Sequence, residues 1–217
     1  MNLLLVNERT GPQGVGVINY GAGNLGNVLR ALASLQIPHR LLETPEDPAA
    51  RTVGTLLLPG VGAFRPAMQK LSSTGWADFL NEWVEGGGSL VGICAGMQLL
   101  CTMSAEDGQA KGLGFLDAEV RRLDGLKKIP HMGWNTVTWK NIPDNPPATH
   151  DFYFVHSYAA ATSPDCIGTT EVDGVTFCSA LQRKNVVGFQ FHPERSGAEG
   201  VAFLGGVLRS FGGYRPC

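Results

Sequence analysis

Gly92-Ile93-Cys94-Ala95-Gly96 is a G-x-C-x-G sequence between an apolar run, Ser89-Leu90-Val91, and an amphipathic one, Met97-Gln98-Leu99-Leu100. It reads as a nucleophile elbow, a sharp strand-to-helix turn with a cysteine at its tip. Backbone passes close on both sides of such a turn, so the positions two before and two after the nucleophile must be nearly bare. Gly92 and Gly96 meet that need. The turn lifts the Cys94 sulfur above the carboxyl end of a sheet and sets it at a helix N-terminus, where unpaired N–H groups favour a thiolate. The chemistry implied is attack on a carbonyl carbon, which needs a proton carrier and donors for the developing oxyanion.

Phe191-His192-Pro193-Glu194 supplies the carrier. It follows the apolar run Val186–Phe191, so His192 is expected at a strand end, where α/β sites form. Pro193 restricts His192 to extended geometry. In an extended segment the side chains of His192 and Glu194 point the same way, and a carboxylate there would fix the imidazole tautomer and raise its basicity. Alone, a cysteine in a turn is more often core than nucleophile, and His-Pro-Glu is a common surface turn. Together, on the ends of two buried strands, they give nucleophile, base and acid in chain order. Pro59-Gly60-Val61-Gly62 ends a third buried run. Its glycines would let a peptide rotate, and the Val61 and Ala95 N–H groups are the oxyanion-hole candidates. Asn19-Tyr20-Gly21-Ala22-Gly23-Asn24 superficially suggests a dinucleotide loop, but it lacks the third glycine and the acidic residue closing a second strand, so NAD binding is rejected.

The elements that must position these groups alternate. Val15–Asn19, Arg40–Leu42, Thr55–Leu58 and the Leu90 run read as strands; Leu25–Leu35, with Asn24 as N-cap, and Trp76–Val84 read as helices. After about Leu116 the pattern turns to shorter strands, with an Asp173-Gly174 hairpin turn, before the Val186 strand and a closing helix over Gly200–Phe211. The expected fold is α/β, three layers α/β/α, with a mostly parallel central sheet and a smaller antiparallel excursion. Residues 1–13 read as a loose extension before one domain over 14–217.

The 217 residues are 43% hydrophobic and 17% charged, with a net charge of -2, which gives no sign of a nucleic-acid or acidic-membrane surface. The apolar runs are too short to cross a bilayer, and the apolar start at Met1–Val6 lacks a basic n-region. Five cysteines, an odd number without Cys-x-x-Cys, argue against a disulfide framework or zinc site and for a cytoplasmic protein. Cys101 falls on the face of Cys94 if the helix continues, and it reads as core.

Together with Asn19–Asn24, Pro59–Phe64, Pro130-His131-Met132-Gly133-Trp134-Asn135 and Tyr153-Phe154-Val155-His156-Ser157-Tyr158, the two catalytic motifs resemble the class I, triad-type glutamine amidotransferases. More narrowly, they resemble the glutaminase subunits of imidazole glycerol phosphate synthase. The resemblance runs from about Val15 to the C-terminus and implies a class I amidotransferase (flavodoxin-like) fold. It implies that Cys94 attacks the glutamine side-chain amide, that His192 carries the proton and that Glu194 orients His192. It implies glutamine contacts from Gly60, Gly62, Gln98, His156, Ser157 and Tyr158. It also implies no cofactor or metal, and an interface through Asn24, Trp134, Tyr153 and Arg195 with a (β/α)8-barrel synthase subunit that takes up the ammonia in histidine biosynthesis. Ala95 stands where many relatives carry a larger apolar residue, yet it keeps the N–H. The competing readings are a triad glutaminase of another pathway such as vitamin B6 or purine synthesis, a stand-alone cysteine hydrolase, and a dead regulatory subunit. The Pro130–Asn135 and Asn19–Asn24 segments weigh against the first, and retention of the triad weighs against the last.

Overall fold

A computed structural model describes residues 14–140 and 150–211; the expected extension over 1–13, the Asn141–Pro147 stretch and Cys217 lie outside the described residues. In chain order the elements are β1 (Val15–Ile18), α1 (Leu25–Ser34), β2 (His39–Leu42), β3 (Thr55–Gly60), α2 (Phe64–Ser73), α3 (Trp76–Glu85), β4 (Ser89–Cys94) and α4 (Ala95–Leu100). Then follow β5 (Cys101–Ser104), β6 (Ala110–Lys111), β7 (Leu116–Arg122), β8 (His131–Trp139), β9 (His150–His156), β10 (Tyr158–Ala160), β11 (Cys166–Val172), β12 (Val175–Arg183), β13 (Val186–Phe189) and α5 (Gly197–Phe211).

Five strands, in the order β2-β1-β3-β4-β13, pair in parallel. This is the doubly wound flavodoxin-like order, which places ligands beyond the carboxyl ends of the strands. Side-chain alternation sorts the core into two layers. Leu57, Val91 and Phe189 pack with α1 and α5, whereas Leu56, Leu58 and Leu90 pack with α2, α3 and α4. Burial on both faces is why β1, β3 and β4 are apolar almost throughout. From β13 the sheet continues antiparallel through β12, β10 and β7, and β11 carries β8 and β9 alongside. The three-layer α/β fold with its antiparallel excursion is as expected, although β8 and β12 reach nine residues each rather than being short. Asp173 and Gly174, both at positive φ, join β11 to β12 with Val172 opposite Val175, which is a two-residue hairpin turn.

Several local expectations change. Helix α2 was not among the expected elements; its Pro66 lies in the first turn, where proline is tolerated, and Phe64, Ala67 and Leu71 bury one face. Asn24 holds the N-cap position of α1 without a side-chain capping bond. Helix α4 stops at Leu100, so Cys101 opens β5, buried and off the face of Cys94. Cys166 and Cys178 form one disulfide, Cα–Cα 5.8 Å, because register shifts after Cys166 bring two paired strands' cysteines together; their spacing in sequence carried no such signal.

The glycines of the elbow mark true backbone contact. A Cβ on Gly96 would lie 1.9 Å from the Leu58 carbonyl oxygen, and one on Gly60 would lie 2.4 Å from the Gly96 nitrogen. Gly96→Ala must therefore part β3 from α4, and it is expected to lower unfolding stability by at least about 2 kcal/mol in urea titration. An unchanged midpoint would contradict this packing.

Candidate active site

β4 delivers Cys94 and β3 delivers Gly60 directly beside it in register, while His192 lies three residues beyond the end of β13. Cys94 takes φ 55 and ψ -117, a conformation rare for a residue with a side chain, and strain of this kind costs on the order of 1–3 kcal/mol. α4 is buried along its whole length, and that packing holds the turn. Cys94, Ala95 and His192 are 6%, 4% and 4% exposed.

His192 Nδ1 lies 2.9 Å from Glu194 Oε1, with both side chains buried. The route differs from the extended alternation expected from sequence. His192 is the last non-helical residue before a 3-10 turn over Pro193–Arg195, and that turn folds Glu194 back to the ring. The turn is anchored to β9: the His192 N–H donates to the Tyr153 carbonyl, the Ser196 hydroxyl donates to the His192 carbonyl, and the Tyr153 N–H donates to Ser196 Oγ. Burial alone would lower the His192 pKa, but the Cys94 sulfur and the Glu194 carboxylate outweigh it and hold the imidazole up at about 10. Among the described residues, His192 Nε2 meets no full hydrogen-bond geometry, yet it faces the Cys94 sulfur closely enough for that sulfur to help hold the ring protonated.

Cys94 and His192 open into a pocket of about 330 Å³. Of the residues singled out in sequence, Val61, Gly62, Ala95, Gln98, His156, Ser157 and Tyr158 also line it. Gly60 does not line it; it packs against α4 beneath. Trp134, Tyr153 and Arg195 form one cluster, with the Trp134 and Tyr153 rings 6.3 Å apart and the Arg195 guanidinium 4.4 Å above the Tyr153 ring. Trp134 is 55% exposed and sits in strand β8. Asn24 is exposed at the start of α1.

Sequence reasoning missed three polar groups. Glu106 lines the pocket and accepts the Phe64 N–H at 2.8 Å; it lies in a turn after β5 with nothing in the sequence to mark it. Gln190 is fully buried, donates toward Cys94 Sγ at 3.8 Å and accepts from Gln98 Nε2 at 3.0 Å. A lone glutamine between Phe189 and Phe191 in a buried run was the available signal. His131 bonds to His156 at 3.0 Å and to Asn135 at 2.7 Å; it was visible only as part of a motif.

The family described as Glutamine amidotransferase class-I matches residues 16–204. The imidazole glycerol phosphate synthase subunit HisH of Moorella thermoacetica is 42% identical over 204 residues, covering 91% of this chain and 93% of that protein. The subunit of the same name from Halalkalibacterium halodurans is 39% identical over 209 residues, covering 91% and 94%. Among solved structures, a glutamine amidotransferase superposes with a TM-score of 0.71 at 18% identity, covering 91% of this chain and 98% of that one. PurLQS from Thermotoga maritima superposes with a TM-score of 0.69 at 17% identity, covering 93% and 99%. The chain belongs to the class-I glutamine amidotransferases and, within them, to the HisH subunits of imidazole glycerol phosphate synthase.

The raised His192 value fixes a pH dependence. A folded-state value above the ordinary 6.5 means that the stability His192 contributes is fully present below 6.5 and is lost as pH rises toward 10. Denaturant titrations across that window should show His192→Ala losing the part of the wild-type decline that this group causes. Parallel wild-type and variant curves would contradict the ion pair.

Proposed function

We propose that the chain is the glutaminase half of imidazole glycerol phosphate synthase, hydrolysing L-glutamine to glutamate and ammonia at Cys94. The observation that carries the reading is the Cys94 elbow facing a buried His192–Glu194 pair across a pocket that also holds a carboxylate, Glu106, and a glutamine amide, Gln98.

Cys94 Sγ attacks the side-chain amide carbon, and the carbonyl electron pair moves onto oxygen. The Val61 and Ala95 N–H groups receive that oxyanion; each such donor is worth roughly a hundred- to thousandfold in rate. His192, protonated, gives its Nε2 proton to the leaving nitrogen, so the C–N bond breaks and ammonia departs. The unpartnered Nε2 fits this task, since the reacting atoms are what it would meet. Neutral His192 then takes a proton from water, whose oxygen attacks the γ-glutamyl thioester and releases glutamate and the thiol. Glu194 holds the ring through Nδ1. Glu106 and Gln98 Oε1 suit the substrate ammonium. Gly62 and the His156–Tyr158 segment supply backbone groups around the substrate, and Gly60 serves the site by letting α4 close on β3.

Ammonia passes to a (β/α)8-barrel synthase subunit docked over Trp134, Tyr153, Arg195 and Asn24. An exposed tryptophan and Met132, 55% and 59% exposed, suit such a face. Docking gates the reaction by favouring one orientation of the Val61 peptide, which is exposed and followed by Gly62 at φ +92. The described residues hold no helix long and apolar enough to cross a membrane, and the reading places the enzyme in the cytoplasm.

The test is glutamate release from glutamine by the chain alone and with the liganded barrel subunit. The expected result is a weak rate alone, strong activation by the partner, and loss of on the order of a thousandfold or more in Cys94→Ala. High activity without a partner would favour a stand-alone hydrolase. Arg195→Ala should reduce activation while leaving the unfolding midpoint nearly unchanged; full activation in that variant would remove Arg195 from the interface.

A further inference from the structure

We propose that His131 is a positioning residue for glutamine binding, acting through His156 and the Tyr158 carbonyl on the amide of Gln98. The proposal rests on the glutaminase reading above. A single acceptor fixes the direction of the whole network. The Tyr158 carbonyl can only accept, and two groups reach it: His156 Nδ1 at 2.9 Å and Gln98 Nε2 at 2.8 Å.

Followed in one direction, His156 must carry its proton on Nδ1. Burial pushes its pKa down to about 3, and the titratable groups that bias it, His131 and His192, oppose a second charge; the ring is neutral and its Nε2 is an acceptor. His131 Nδ1, 3.0 Å away, must then donate. With its proton on Nδ1, His131 offers Nε2 as the acceptor for Asn135 Nδ2 at 2.7 Å, and burial, which lowers the His131 pKa, favours that neutral form. Followed in the other direction, Gln98 spends its second Nε2 hydrogen on Gln190 Oε1 at 3.0 Å, which turns Gln190 Nε2 toward Cys94 Sγ. Gln98 Oε1 is thereby the free end of that amide, and Gln98 lines the pocket. If His131 did not donate, His156 Nε2 would be buried without a partner, and the ring would lose what holds it against the Tyr158 carbonyl.

The test is steady-state kinetics of the complex with the barrel subunit and its ligand. His131→Phe keeps a ring beside Phe154 and Phe177, whose centroids lie 5.2 and 5.7 Å from the imidazole, and removes the donor. His131→Asn places an amide N–H near the position of Nδ1. The Phe variant is expected to raise KM for glutamine about tenfold with kcat within about twofold of wild type, and the Asn variant to recover most of that loss. An unchanged KM in the Phe variant, or an equal rise in both variants, overturns the proposal. A wild-type complex that releases no glutamate would instead remove the glutaminase reading beneath it. Nitrogen-15 NMR of the imidazoles in the unmodified protein decides independently of any variant's folding: both His131 and His156 should be neutral with the proton on Nδ1, and an Nε2-bound proton on either ring overturns the relay.

Discussion

The site depends on one close backbone contact. The first turn of α4 lies so near the end of β3 that neither Gly96 nor Gly60 has room for a side chain. Cys94, beside Gly60 in register, is the residue forced to a positive φ, and its side chain lines the pocket. A strained turn persists only where its surroundings over-determine it. Here parallel pairing of β3, β4 and β13, together with the complete burial of α4, supplies that determination. The nucleophile's backbone is thus fixed by the packing of the sheet.

Polar atoms in the same region divide into two kinds. The Gln98, Gln190, His131 and His156 side chains are tied into one directed network, so each has one allowed role and orientation. In contrast, His192 Nε2 and Glu194 Oε2 are buried without partners among the described residues. Tyr20 Oη, Thr55 Oγ1, Trp76 Nε1 and Ser163 Oγ are orphaned as well, but of these residues only His192 lines the pocket, where a bound substrate would meet its Nε2. His192 is also tied to Tyr153 through backbone and Ser196 bonds, so the exposed aromatic cluster and the proton carrier share one rigid turn.

Much of this was legible in the chain because the physics is local. Parallel strands buried on both faces must be apolar runs, so Thr55–Leu58, Leu90 and Val186–Phe191 announced themselves, and the residues just beyond them were the site candidates. The glycines around Cys94 were legible for the same reason. What escaped depended on contacts distant in sequence. The Glu106 carboxylate caps the start of α2 from a turn 42 residues later. The His131–His156 pair spans 25 residues across the paired strands β8 and β9, and Gly133 leaves β8 without a clear apolar alternation in sequence. The Cys166–Cys178 link follows from an irregular register. The His192–Glu194 contact was anticipated although its backbone route was not: a spacing of two serves both an extended segment and this 3-10 turn when proline sets the bend.

The central claim is that Cys94 forms a covalent bond to the substrate carbon, and it is tested most directly by trapping. A glutamine analogue with an electrophilic carbon in place of the side-chain amide would be incubated with the chain and its liganded barrel partner, then analysed by intact mass and peptide mapping. The account predicts one adduct per chain, on Cys94, suppressed by excess glutamine and absent from Cys94→Ala. An adduct on Cys101, or glutamate release that persists once every Cys94 is labelled, would contradict it.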